Sequence, residues 1–241
     1  MKDKLYDYIF KRKSNRKYNM TPIENELLTE IKTFADSLQP LYKNIKVEYE
    51  IASKVNNLFP SKAPYYFNIY SEDKEGYFIN IGFLFQQMVL FLSSKGLGSC
   101  WLGVTKPIIK EKLDTKLEFI ISIAFGNAID KPYREKSEFI RKPLSQISSG
   151  TDERIEAAHL APSAINNQNW FFDCINGKIN VYIKKLNAIQ ALIFNKTNMI
   201  DIGIAISHLY IATLHQGKVF TFSQKSSVKD LKGYSYIGTV D

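Results

Sequence analysis

Three residues near the start of this 241-residue chain carry side chains able to grip an anion: Arg12, Ser14 and Arg16 in KRKSNRKY, residues 11 to 18. They stand at alternate positions, so an extended backbone points all three the same way. Two guanidinium forks and a hydroxyl converging on one spot make a receptor for a phosphate dianion. A basic surface patch after a short helix fits the same residues, and the spacing leaves both readings open. Far along the chain, LAPSAINNQNWFF (160 to 172) gathers three asparagines and a glutamine behind Pro162. Pro162 has no amide hydrogen and disfavours helical geometry in the residue before it, so a helix ends there. The loop beyond can aim backbone groups and the amides of Asn166 and Gln168 at a ligand. An amide donates and accepts at once, which suits a heterocycle carrying carbonyls, ring nitrogens and an imide N–H. The alternative is a loop fixed by its own side-chain hydrogen bonds.

The elements that must position these residues repeat along the chain. INIGFLFQQMVLFLSSKGLG (79 to 98) lines up with IDIGIAISHLYIATLHQGKV (200 to 219) at a constant offset of 121, with Ile79, Ile81, Gly82 and Gly96 falling on Ile200, Ile202, Gly203 and Gly217. Both copies are apolar on most helical faces, the pattern of a buried helix, and each stops at a glycine suited to a left-handed cap. ENELLTEIKTFADS (24 to 37) matches DERIEAAHLAPS (152 to 163) as a second helix pair. APYYFNIYS (63 to 71), EFIISIAFG (118 to 126), WFFDCINGKINVYIKK (170 to 185) and GYSYIGTV (233 to 240) read as strands, the third folded at an Asn176-Gly177 hairpin turn. Each half thus reads as helix, strand, buried helix, strand. The class is mixed α+β, two tandem pseudo-symmetric half-units, 1–148 and 149–241, with the boundary near the SSGT interruption at 148 to 151. Neither half can hide its apolar helix alone, so the two helices should pack on each other as a dimer interface made within one chain.

Composition narrows the function classes. The net charge of +8 would suit a nucleic acid or a phosphorylated small molecule, but Lys and Arg are scattered from Lys2 to Lys232 among acids. Zinc-finger spacing and RNA-binding signatures are missing, which leaves weak, unspecific nucleic-acid binding as the expectation. His159, His208 and His215 have no cysteine at ligand spacing, an argument against a metal; His208 and His215 read as ordinary surface or half-buried residues. Two cysteines make no disulfide scaffold, and the opening residues lack the pattern of a secretory signal, so a cytoplasmic protein is expected. The apolar runs read as shorter than the ~18 to 20 residues that span a bilayer.

Taken together, the motifs resemble the nitroreductase family of FMN proteins. RKSNRKY looks like its R-x-S-x-R phosphate motif, APSAINNQNW is similar to its A-P-S-x-x-N-x-Q-P-W motif, KGLGSCWLG (95 to 103) resembles its G-L-G-x-x-W-x-G segment, and RKPL (141 to 144) looks like its basic tail. The order differs from an ordinary member, since the APS motif follows GLG here. That order is similar to a fused branch in which two half-length units share one polypeptide. Asn169 stands where the family has proline, and Val104 where a second glycine is common.

The resemblance implies roles. Family members are homodimers with FMN at the interface, so half one would supply one side of a single site and half two the other. Arg12, Ser14 and Arg16 would bind the phosphate, ribityl chain and pyrimidine edge, with Arg141 or Lys142 adding charge. Pro162, Ser163 and Asn166 would line the ring from the other half, with Gln168 supporting the loop. Trp101, Leu102 and Gly103 would lie along the ring. The implied activity is transfer of hydride from NAD(P)H to FMN and on to a quinone, nitroaromatic or similar small acceptor, with no side-chain nucleophile or general base. A flavin-binding or sensing protein with little turnover is the second reading. Residues 187 to 198 are expected to form a loop over the flavin face, and a monomer with the dimer built in is the favoured assembly.

Overall fold

A computed structural model describes residues 3–57, 62–108 and 115–241. In chain order the elements of the first stretch are α1 (Asp3–Ile9), α2 (Asn25–Asp36), β1 (Val47–Ala52), β2 (Val55–Asn57), β3 (Tyr65–Ser71), α3 (Tyr77–Ser94), β4 (Gly98–Leu102), β5 (Thr105–Pro107) and β6 (Glu118–Gly126). They are followed by α4 (Leu144–Ile147), β7 (Ser148–Ser149), α5 (Arg154–His159), β8 (Trp170–Ile175), β9 (Lys178–Lys184), α6 (Ala188–His215), β10 (Phe222–Ser223) and β11 (Tyr234–Val240).

Two sheets flank the pair α3 and α6. The first runs β1-β3-β6-β4 and the second β10-β11-β9-β8-β7. Number the four antiparallel strands of each sheet by chain order and both read first, second, fourth, third, with a buried helix between second and third. Beside β8 the second sheet carries an additional parallel strand, β7, which has no counterpart beside β1. β2 and β5 form a separate two-stranded ribbon.

The sequence pattern explains the centre. α3, and α6 from Asn198 onward, are apolar on most faces, so neither stretch can present a polar face to water, and each buries its surface on the other and on a sheet. Glycine lets the two backbones touch. A Cβ built on Gly82 would fall 2.0 Å from the carbonyl oxygen of Ile200, and one on Gly203 would fall 2.0 Å from that of Ile79. One buried cluster then runs from Leu5 in α1 to Val240 in β11 through both helices and both sheets. α3 has 18 residues and a mean hydropathy of 1.3, enough by length and composition to cross a bilayer, but 83% of it is buried inside the fold, where it serves as a core helix.

Several elements differ from the sequence reading. β6 matches its expected span and β11 nearly so, and Asn176 and Gly177 do turn the β8–β9 hairpin, both with positive φ (50° and 73°). Each half, however, has four main strands where the pattern suggested fewer: β1, β4 and β10 went unread. The helix expected over 152 to 163 is short, α5 closing at His159 before a separate 3-10 turn at Ala164–Asn166. Residues 188 to 198 are no loop but the first turns of α6, capped by Asn187, whose side chain accepts the Gln190 N–H at 2.9 Å. The expected boundary at 148/149 falls inside β7.

Candidate functional site

Residues 12 to 18 run extended along the edge of the first sheet. Ser14 bridges Ser99 of β4 in parallel, Arg12 bridges Tyr133, Tyr18 bridges Ala128, and the Asn15 N–H donates to Ser99 O at 3.0 Å. The approach needs Gly98, because a Cβ there would come within 2.8 Å of the Asn15 Cβ. Held this way, Arg12 is 2% exposed and donates from Nη2 to Ser14 Oγ at 3.0 Å, while its Nε and Nη1 are buried without a partner. Burial, with added repulsion from Arg134 and Arg141, pushes its pKa down to about 9. Arg16 lies exposed, close enough to add to the repulsion on Arg12 and Arg134.

Two further arginines close on the same place. The guanidinium carbons of Arg134 and Arg141 lie 4.6 and 5.3 Å from the centre of the Phe139 ring, so one aromatic side chain carries both cations. Each leaves its Nε buried and unpartnered, and burial pushes the Arg141 pKa down to about 10. Among the described residues no carboxylate lies within ion-pair distance, 4.0 Å, of Arg12, Arg16, Arg134 or Arg141. Glu138 acts on Arg134 from farther away, and burial outweighs it. Four guanidiniums, two of them facing one ring, with orphaned donors and no paired acid, make a strong demand for an anion.

The amide loop meets this cluster through the basic tail. Arg141 donates from Nη1 to Asn166 Oδ1 and from Nη2 to Leu160 O, both at 3.0 Å. Lys142 gives its backbone N–H to Gln168 Oε1 at 2.8 Å and its Nζ to Asn167 O and Gln168 O at 2.6 and 3.2 Å. Asn166 Nδ2 returns a bond to Ile140 O at 3.0 Å, and Gln168 Nε2 donates to Asn166 O at 3.0 Å. The amides thus stitch loop to tail. The loop pays in backbone strain: Ile165, Asn166 and Gln168 have φ of 45°, 60° and 48°, and a β-branched residue in that region costs about 1–3 kcal/mol. Pro162 and Ser163 are half-buried, Ser163 Oγ accepting the Gln168 N–H at 3.0 Å.

α6 supports both walls. Its Asp201, 5% exposed, accepts the Ala164 N–H on both carboxylate oxygens at 3.1 and 3.0 Å, and burial without a cation raises its pKa to about 8. One heptad on, the fully buried His208 joins Gln86 Nε2 at 2.9 Å and Ala157 O at 2.8 Å, while Gln86 Oε1 accepts the Trp101 indole N–H at 3.2 Å. Burial pushes the His208 pKa down to about 3. Half-buried Trp101 and Leu102 end β4, and a Cβ on the adjoining Gly103 would touch Thr197 of α6 at 3.8 Å.

So the arginines at 12 and 16, the tail and the amide loop form one connected group, with Trp101 linked to it through α3 and α6. Sequence reasoning missed Arg134, Phe139, Gln86 and Asp201 and placed His208 too near the surface; only the two-sided burial of α6 hinted that polar residues there must have inner partners. At this loop His159 Nε2 bonds Lys142 O at 2.7 Å, which ties α5 to the tail as well.

A family model described as "Putative TM nitroreductase" matches residues 4–213. Among solved structures, a Thermotoga maritima protein described as a "putative nitroreductase" superposes with a TM-score of 0.68 at 20% identity, over 98% of this chain and 91% of that one. An "FMN-dependent Nitroreductase" of Clostridium difficile R20291 matches at 19% identity over 60% of this chain and 98% of its own, with a TM-score of 0.48. A "Putative NADH dehydrogenase/NAD(P)H nitroreductase" of Parabacteroides distasonis gives 17% identity, 61% and 98% coverage, and a TM-score of 0.48. No curated protein matches the chain.

Proposed function

This chain belongs to the TM nitroreductase family, an oxidoreductase family, and from that premise we propose that it holds one FMN between two nitroreductase-like half-units, residues 1–148 and 149–241, of a single polypeptide. The observation that carries the reading is Arg12, buried at 2% exposure with two donor nitrogens unpartnered in a cluster of arginines that lacks a paired carboxylate. A phosphate dianion satisfies that cluster; a neutral ligand does not.

In this reading Arg12, Ser14, Arg16, Arg141 and Lys142 hold the phosphate end, with Arg134 beside them. Pro162, Ser163, Asn166 and Gln168 form the opposite wall, and Trp101, Leu102 and Gly103 the wall along the ring. FMN, when bound, supplies hydride chemistry between NAD(P)H and a quinone, nitroaromatic or similar acceptor. The protein's part is positional and electrostatic. The arginines favour negative charge in the pocket, Asp201 fixes the loop through Ala164, and Gln86 with His208 fixes the indole of Trp101. Support for the two half-units comes from the shared strand order of the sheets and from the reciprocal contact of Gly82 and Gly203 at the 121-residue offset. The assembly that follows is a monomer carrying its own pseudo-dimer interface.

One observation favours a second reading, a flavin-binding or sensing protein with little turnover: the amides of Asn166 and Gln168 are committed to residues 140–142 and to the loop itself. Stopped-flow mixing of the FMN-loaded protein with NADH or NADPH separates the two. Rapid bleaching of the flavin, then reoxidation by menadione, is the expected result; no reduction within minutes leaves the binding protein.

A further inference from the structure

The arginine cluster holds more positive charge than one phosphate needs. Arg12, Arg141 and Lys142 already outweigh the dianion of a phosphate monoester, and each is built into the walls. Arg12 is 2% exposed, Arg141 is tied to Asn166 and Leu160, and Lys142 is tied to Asn167 and Gln168. Arg134 and Arg16 are surplus to that inner seat.

Arg134 is fixed beside it. Its backbone N–H donates to Lys11 O at 2.9 Å, next to the bridge between Tyr133 and Arg12, so it lies along the extended segment that carries Arg16. The Phe139 ring backs both Arg134 and Arg141, with guanidinium carbons 4.6 and 5.3 Å from its centre, and so sets an outer cation next to an inner one. Among the described residues the Arg134 side chain donates no hydrogen bond, and its Nε is buried. Glu138, the acid that acts on it, stands beyond 4.0 Å and accepts the Glu135 N–H at 2.6 Å. Arg16 is exposed and repels both Arg12 and Arg134, so it lies within range of both.

The rim adds an apolar feature. Ile140 and Ile165 are 80 and 77% exposed on the two sides of the seam between tail and loop, where Ile140 O accepts Arg141 Nη1 at 2.8 Å and Asn166 Nδ2 at 3.0 Å. Two large aliphatic side chains left open beside a polar cluster suit the flat face of a base.

We propose that Arg134, with Arg16 between the two seats, forms a second phosphate seat that takes the 2′-phosphate of NADPH, and that Ile140 and Ile165 support its adenine. The inference rests on the flavin reading above and names the hydride donor within it. Depth assigns the ligands: a buried seat suits a cofactor that stays, and an open one suits a nucleotide that leaves after each turnover. A phosphate monoester in the outer seat accepts N–H groups from both arginines and replaces their mutual repulsion with attraction to a shared dianion. NADH carries a hydroxyl at that position and offers neither.

The test is calorimetric titration of the FMN-saturated full-length chain with 2′,5′-ADP, 5′-AMP and 5′-ADP. The first should bind about tenfold or more tightly than the second, the worth of a hydrogen-bonded charge. It should also bind more tightly than 5′-ADP, whose two phosphates stand in line as in FAD. Arg134→Met, loaded with FMN, should bring 2′,5′-ADP to within about threefold of 5′-AMP, and the ratio of kcat/KM for NADPH over NADH should fall by about tenfold. Both readouts are ratios, so a loss common to the two nucleotides cancels. Equal binding of 2′,5′-ADP and 5′-AMP by the flavin-loaded wild type would overturn this inference alone. So would 5′-ADP binding as tightly as 2′,5′-ADP, or a variant that keeps the wild-type preference. A chain that takes up no FMN would overturn the flavin reading and this inference with it.

Discussion

Gly82 and Gly203 each rest against a backbone carbonyl of the opposite helix, Gly82 on Ile200 and Gly203 on Ile79, and the four residues exchange under the same offset of 121 that relates the sequences. A single added methyl on either side would sit 2.0 Å from an oxygen that belongs to a fixed helix. Gly82→Ala and Gly203→Ala should therefore each lower the free energy of unfolding by about 3 kcal/mol or more, measured by urea titration. A change under about 1 kcal/mol in both would mean that the helices are not in the contact described.

Arg12→Met tests the anion cluster by separating stability from affinity. A buried cation without a partner is a cost to the ligand-free fold, so a side chain of similar length without charge should leave the apo urea midpoint unchanged or raised. FMN affinity should fall by about 1.5–3 kcal/mol, the range for a hydrogen bond to a charged group. Equal losses in stability and affinity would make Arg12 a structural residue.

Asp201→Asn exposes a proton linkage. Asp201 holds its proton more tightly folded than unfolded, its pKa standing at about 8 against an ordinary 3.8. Its stabilising share is thus complete below the unfolded value and is lost as pH rises through about 8. The variant's stability relative to wild type should grow between about pH 4 and about pH 8 and level off above that. A flat difference across that window would show that the carboxylate is not desolvated. The counterpart helix hints that an amide suffices, since Asn80 Oδ1 accepts the Tyr42 N–H at 3.0 Å.

His208 carries the opposite sign. Its folded pKa is depressed to about 3 from 6.5, so the stability it confers is present above 6.5 and lost as pH falls toward 3. His208→Leu should cost about 1–3 kcal/mol at neutral pH by stranding Gln86 Nε2 and Ala157 O. The deficit should shrink as pH falls toward 4. Thermal unfolding across that range checks it, and a deficit that widens in acid would contradict the burial.

Much of this fold was legible in the sequence wherever one local pattern decided the outcome. EFIISIAFG forms β6 over its whole length because a run of β-branched and aromatic residues buried on both faces has few other uses. Gly96 and Gly217 adopt left-handed φ of 77° and 69° at the helix ends that the pattern marked. VEYEIA did not read as β1, because an edge strand with its residues half-exposed carries glutamates that look like loop or helix. The first turns of α6 misled for a related reason: Ile189, Leu192 and Ile193 are 75, 90 and 61% exposed, so no buried face marks the helix there. In the site, Arg12, Ser14 and the amide loop stood out by spacing. Arg134 and Asp201 did not: Arg134 depends on an irregular turn that lays Phe139 beneath two guanidiniums, and Asp201 on Ala164, 37 residues away in sequence.

The proposal that one ligand is shared by two unlike halves is tested most directly by flavin stoichiometry. Purified protein saturated with FMN, freed of excess, and denatured should release flavin in a ratio of one per chain, judged by absorbance against protein concentration. Two per chain would mean that each half completes a site of its own, and none would mean that the arginine cluster answers to a different anion; either contradicts the account.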